Sequence, residues 1–409
     1  MEKNDGLGQF PSKIPWLEAK KGQMKMPSAD KNLKLVLFAL CAVTFMLGFE
    51  LGGFQLALMR ATNELGIGGA AIGLPVAAQF VSVGVMPLIF GPISDRAGKK
   101  KILLIFMAVF AAGSILTWSS GSSAGFLFSV FILGTGYGVA DCVSVAISSD
   151  VFSGHEEKYI NFIQSFFCAG AIVSPIILQN LMDHFAASWR VIFLICAIAV
   201  LAVIPAVLLS KIVSAPKVPS VPRVEAPKRL PLPLLLGFLI SIFIYVGIES
   251  CIASFADTVF AVHLGAQAYG AYAIALFWAA MGVGRFIFGR MKEIPGGATA
   301  VCLFCLTAVI AAIAFCGYDI LALALFAASG FACSCVWPGI VNAAIALDRE
   351  ASGKIMGYLN LGGGMGGSIF PLAIGAIMNT IGVSVAFLIL AAFSVFAGIY
   401  LWKKSRHVV

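Results

Sequence analysis

The sequence predicts an all-α membrane protein with twelve transmembrane helices, arranged as two six-helix pseudo-repeats. Three observations predict it. Hydrophobic residues make up 60% of the 409 positions and charged residues only 11%, too few to cover a water-soluble domain. All but three of the 27 Lys and Arg (Arg60, Arg190 and Arg285) fall in the N-terminal segment, in alternate connections or at the C-terminal end. That bias assigns these segments to the cytoplasm. Short motifs also recur in the same order in both halves of the chain.

The elements follow in order. Residues 1–33 are polar and basic, and read as a cytoplasmic tail without a cleavable signal peptide. A spanning helix needs about 20 apolar residues. Such runs occur at 34–59, 68–90, 102–120, 124–149, 159–181 and 190–213, which makes 34–213 an N-terminal bundle. Residues 214–231, rich in Pro, Lys and Val, read as a cytoplasmic linker. Six more runs, at 232–262, 268–289, 297–316, 319–346, 355–379 and 382–402, make 232–402 a C-terminal bundle. Residues 403–409 close the chain as a short cytoplasmic tail. The repeat supports the division. Gly48-Phe49-Glu50 matches Gly247-Ile248-Glu249, and Gly91-x3-Asp95-x2-Gly98 matches Gly289-x3-Glu293-x2-Gly296. Gly170-x4-Pro175 matches Gly366-x4-Pro371, and Met182-Asp183 meets Met378-Asn379.

The connection between the second and third runs is the most informative stretch. It reads Gly91-Pro-Ile-Ser-Asp95-Arg96-Ala-Gly98-Lys99-Lys100-Lys101 between two apolar runs. So short a loop forces a tight turn at the bilayer surface. Gly91 allows close helix approach, and Gly98 supplies a backbone angle that other residues resist. Asp95 and Arg96 pair with each other or brace neighbouring helices. Asp150, at the inner end of the fourth run, is the expected partner of Arg96. Gly91, Asp95, Arg96, Gly98, Lys99 and Asp150 are therefore the candidate gate.

Charges inside apolar runs are costly and usually face a watery cavity. Glu50 lies 16 residues after Lys34, about 24 Å into a core of about 30 Å. Glu249 has a similar depth and is its mate in the repeat. Asp141 falls near the midplane of the fourth run. Each of these carboxyls serves either as a structural brace or as a proton or ligand site, and desolvation suits a carboxyl to reversible protonation. Arg285 either binds a ligand oxygen or braces the eighth run against a carboxylate. Asp257 lies near a helix end, where solvation is easy. Gln55, Gln79, Tyr137, Asn161, Gln164, Tyr245, Trp278 and Trp337 are the remaining candidates for a polar and aromatic cavity. Asn161 and Gln164 share one helix face. For Trp278 and Trp337, packing or interface anchoring competes with a ligand role.

The Gly-x3-Asp95-Arg96-x-Gly98-Lys-Lys spelling resembles the loop between helices two and three of the major facilitator superfamily. Several stretches further resemble the fucose permease type of sugar–proton symporter. They are Tyr245-Val-Gly-Ile-Glu249, Gly284-Arg285-Phe286, Asn161-x2-Gln164-x5-Gly170-Ala, Asp141 and Trp337-Pro338. The resemblance implies alternating access between duplicated halves around a midplane site. It also implies a small polar solute, sugar-like or a related metabolite, moved by proton symport with Glu50 and Asp141 as proton-coupling candidates. The sequence departs from that family at two places. Gln55 stands where the family carries its first-helix Asp, and Val145 stands near the place of an Asn. A proton-driven exporter is the alternative. Against it, the fifth run reads Gly170-Ala-Ile-Val-Ser-Pro175, without a Gly-Pro-Gly-Gly stretch, and the fourth run has no Arg.

The net charge of +8 could suit nucleic acid, but its segregation to one side of the spans speaks for a membrane instead. The ten cysteines and four histidines form no metal-ligand spacing, and no nucleotide loop or nucleophile triad occurs. The expectation is a monomeric multi-pass protein of the plasma membrane (the inner membrane in a bacterium), neither an enzyme nor a cofactor binder. Its partners are a small-molecule substrate, protons and the lipid bilayer.

Overall fold

The protein is described by a computed structural model covering residues 31–68, 71–152, 156–212, 232–288, 297–345, 347 and 352–405. Twelve helical stretches are long and apolar enough to cross a membrane, matching the twelve expected runs, and no strand occurs among the described residues. The N-terminal half contains α1 (Lys31–Glu64), α2 (Leu74–Ala97), α3 (Lys99–Trp118), α4 (Ser123–Val151), α5 (Glu156–Phe185) and α6 (Val191–Leu209). The C-terminal half contains α7 (Leu232–Thr258), α8 (Gly270–Phe288) and α9 (Ala298–Phe315). It continues with α10 (Asp319–Cys333), α11 (Val336–Ile345), α12 (Ser352–Thr380) and α13 (Val383–Ser405). α10 and α11 are two pieces of one span, broken around Ser334. The linker 214–231 and the second copy of the loop motif, 289–296, lie outside the described residues.

Packing between these helices cannot rest on the hydrophobic effect alone, because lipid tails are as apolar as the side chains. Close backbone approach at small residues takes over. The motif Gly170-x4-Pro175 does this work in α5: a Cβ at Gly170 would collide with the Phe45 carbonyl of α1. Its repeat mate Gly366 in α12 meets the Phe243 carbonyl of α7 in the same way. The sequence repeat is thus a repeated helix contact. Large side chains on the outer surface, such as Phe128, Ile198, Val262 and Phe396, are exposed, as suits a lipid-facing surface.

The halves meet along two seams. One joins α2 to α12, where an added Cβ at Gly84 would stand 2.7 Å from the Gly364 Cα. The other joins α5 to α8, where Gly282 faces Cys168. The start of α1 and the end of α6 lie together at one end of the bundle. Asn32 exchanges hydrogen bonds with Lys211 there, its Nδ2 donating to the Lys211 carbonyl at 2.9 Å.

The gate stretch is more helical than expected. α2 continues through Gly91, Asp95 and Arg96 to Ala97, and α3 resumes at Lys99. The whole reversal therefore falls on Gly98, which has φ +98° and ψ 120°. The backbone N–H of Gly98 closes α2 by donating to the Ser94 carbonyl at 3.0 Å. A Cβ is strongly disfavoured at that φ, so the residue there is glycine.

Candidate functional site

The polar residues of the spans converge between the halves. Glu50 of α1 is 1% exposed, and both its carboxyl oxygens accept from Gln79 Nε2 of α2 at 3.0 Å. No cation among the described residues lies within ion-pairing distance of Glu50. Asp141 of α4 accepts from Gln164 Nε2 of α5 at 3.3 Å, is half-buried, and likewise has no cation at that distance. Both carboxyls therefore stand on an amide, in the N-terminal half.

Gln55 lies a little over one turn beyond Glu50. It accepts from Trp278 Nε1 of α8 at 3.0 Å, a bond between the halves. The Trp278 ring stands edge-on to Phe167 of α5 at 5.5 Å, and Phe167 stands edge-on to Tyr137 of α4 at 6.5 Å. Such edge-to-face pairs are favourable aromatic geometry. They form a belt over the deep end of the polar cluster.

The C-terminal half contributes Glu249 of α7 and Arg285 of α8, both half-buried. Arg285 does not brace α8 by an ion pair, since no carboxylate among the described residues reaches it. Tyr245 is fully buried and donates its hydroxyl to the Cys333 carbonyl at 2.9 Å, which ties α7 to the break between α10 and α11. The Trp337 ring packs near Gly363 of α12, within the C-terminal half. These two residues stand in helix packing in this conformation. The side chain of Asn161 lies outside the described residues.

Near the last turns of α1 the halves close on each other. Arg60 of α1 donates Nη1 to Asp257 Oδ2 of α7 at 2.7 Å and Nη2 to Gln179 Oε1 of α5 at 3.2 Å. Gln179 in turn donates to Asp183 Oδ1 at 2.8 Å. The Asp257 side chain is 1% exposed and that of Arg60 17%. The expected solvated Asp257 is therefore buried, because the halves close over its helix end. This end is shut, whereas Asp141, Gln164, Glu249 and Arg285 keep partial exposure.

The gate pairing also differs from expectation. Asp150 Oδ2 is 2.6 Å from Lys99 Nζ, so its partner is Lys99 and not Arg96. The same Nζ lies 3.7 Å from Asp95 Oδ1 and donates to the Ala146 carbonyl at 3.4 Å. Lys99 reaches both carboxylates because the one-residue turn at Gly98 starts α3 immediately beside the end of α4.

Sequence reasoning missed Arg60, Asp257 and Gln179 as a closing set, and Phe167 as a partner of Trp278 and Tyr137. A signal for the first two was present. Arg60 and Asp257 are 197 residues apart, close to the spacing of the repeat, so they are opposite charges at equivalent places. Among the described residues no group of His, Cys, Asp and Glu is arranged to hold a metal ion.

Twelve membrane-length helices and polar residues that meet across the halves define a polytopic membrane protein. Residues 38–321 match the Major Facilitator Superfamily, and the chain belongs to that family. The superfamily is one of membrane transporters rather than enzymes. Multidrug resistance protein D of Escherichia coli (strain K12) is 24% identical over 172 residues, 41% of this chain and 42% of that protein. The probable sulfoacetate transporter SauU of Cupriavidus necator is 24% identical over 172 residues, 42% of this chain and 39% of that protein. The chain thus spans about two fifths of the length of these curated relatives. Among solved structures, the human organic anion transporter MFSD10 superposes with a TM-score of 0.68 at 15% identity, over 92% of this chain and 100% of that one. FucP in its outward conformation superposes with a TM-score of 0.64 at 19% identity, over 91% and 99%. At these identities the likeness is one of fold.

Proposed function

We propose that the protein is a secondary active transporter that moves a small polar solute, sugar-like or a related metabolite, together with protons by alternating access. Its boundaries are those of two bundles, 34–213 and 232–402, joined by a cytoplasmic linker, with both termini in the cytoplasm of a plasma-membrane monomer. The observation that carries the reading is the pair of amide-capped carboxyls. Burying a carboxylate with a single amide as partner is expensive. A proton removes that cost, and a cavity that opens and closes changes it at each step. Glu50 and Asp141 are then the groups whose charge differs between states, and a ligand or proton that favours one state shifts the population toward it.

The names of the resistance proteins among the relatives favour a second reading, a proton-driven exporter of drugs or metabolites. The two share the same carboxyls and differ in the direction of solute flow relative to the proton.

The test uses paired assays in proteoliposomes: uptake driven by a pH gradient, and solute exchange without one. Amide replacement keeps size and most hydrogen bonding but removes titration. At least one of Glu50→Gln and Asp141→Asn is expected to abolish uphill movement while retaining exchange. Loss of both assays together in each variant, or wild-type movement indifferent to the pH gradient, refutes proton coupling. Solute movement opposite to the proton in the wild type selects the exporter.

A further inference from the structure

Of the four arginines among the described residues, Arg96 is exposed in the last turn of α2, and Arg60 and Arg190 are well supplied with acceptors. Arg60 donates to Asp257, Gln179 and the Leu56 carbonyl. Arg190 donates to Glu64 and to the Ser120 carbonyl, and its guanidinium lies 4.4 Å over the Trp189 ring. Arg285 is different. No carboxylate among the described residues lies within ion-pairing distance of it. Its polar neighbour across the seam is the Cys168 thiol, and a thiol is a weak acceptor. Glu249 is near enough to feel its charge without pairing, and Tyr245 and Cys333 lie on the same side. Tyr245 is already committed to the Cys333 carbonyl.

A guanidinium is always charged and carries five donors in a planar fork. Half-buried within a membrane span, such a group normally acquires an acceptor, because an unpaired charge there is costly. Here no described carboxylate supplies one. In the N-terminal half Asp141 and Glu50 are each engaged by an amide. Once those carboxyls carry protons, Arg285 with Glu249 is what remains charged on the lining.

The geometry also bounds a ligand. Trp278 and Arg285 are seven residues apart on α8, two turns along one face, about 10 Å along the axis. Between them Gly282 keeps the wall low toward Cys168. A solute with an oxyanion at Arg285 would lay its body toward the Trp278 and Phe167 rings, 5.5 Å apart.

We propose that Arg285 donates to an oxyanion of the substrate, so that the solute is a small organic anion, a carboxylate or sulfonate with a short body. This rests on the central cavity being the substrate site. One anion moved with one proton is electroneutral, and a single carboxyl, Glu50 or Asp141, suffices to carry that proton.

The experiment measures thermal stabilisation of the purified full-length protein by butyrate and butane-1-sulfonate, with butyramide and a neutral hexose as uncharged probes. Ligand binding raises apparent stability by mass action. At millimolar concentration, the two anions are expected to stabilise the wild type and butyramide is not. Arg285→Gln should abolish the difference. Arg285→Lys, which keeps charge and loses the fork, should weaken anion binding by about tenfold or more. The comparison of anion with amide in the wild type needs no variant, so a poorly folding variant does not remove the test. Anions and amide that stabilise alike, or an anion effect unchanged in Arg285→Gln, overturns the proposal. Stabilisation by the hexose alone overturns the anion class while leaving the cavity as the substrate site.

Discussion

The far-end pair between Arg60 and Asp257 makes a quantitative prediction about conformation. For the cavity to open at that end, α1 must leave α7 and this ion pair must break. Removing one partner of a buried pair costs about 3–5 kcal/mol, whereas exposed pairs are worth about 0–1 kcal/mol. Asp257 is 1% exposed and Arg60 17%, so the pair falls below the fully buried limit. Arg60→Ala leaves a bare carboxylate under the closed seam, and its second oxygen already has no partner. We expect this to penalise the closed arrangement by about 2–3 kcal/mol, which is about 30- to 140-fold in population. Asp257→Asn keeps an acceptor for Arg60, and Arg60 retains Gln179 and the Leu56 carbonyl. Its effect should be smaller, about 1 kcal/mol or about fivefold. The assay is a distance distribution between spin labels at positions 119 and 318, exposed at that end of opposite halves, in a cysteine-free background. Arg60→Ala should add a longer component, Asp257→Asn a weaker one, and the swap of Arg60→Asp with Asp257→Arg should restore the short distance. Equal and unchanged distributions in both single variants would refute the reasoning.

Two further predictions concern the turn between α2 and α3. Lys99→Ala and Asp150→Asn should reduce transport to a similar extent at matched expression, and the double variant should add little, because they remove one 2.6 Å pair. Arg96→Ala should be additive with Asp150→Asn; non-additivity there would restore the Arg96 pairing. Gly98→Ala places a Cβ at φ +98° and should cost about 1–3 kcal/mol, read as a lowered melting temperature of the purified protein. An unchanged melting temperature would mean that the reversal tolerates a different backbone path.

The sequence by itself determined the class of protein and the number and order of its helices. Apolar runs of membrane length permit few other states, since every backbone polar group in lipid must be satisfied within its own segment. Repeat motifs were legible too, because Gly170 and Gly366 serve one local purpose, backbone contact with Phe45 and Phe243. Candidate residues Glu50, Asp141, Glu249 and Arg285 stood out for the same energetic reason: a charge in an apolar run is conspicuous. What each of them touches was decided only in three dimensions. Gln79 caps Glu50 and Gln164 caps Asp141 because α2 lies against α1 and α5 against α4. Lys99, not Arg96, holds Asp150 because a single glycine makes the whole reversal. Asp257 changed from a solvated helix end to a buried partner of Arg60 for a reason no local pattern contains: the pairing joins residues 197 apart, in different halves, and exists only where those halves meet.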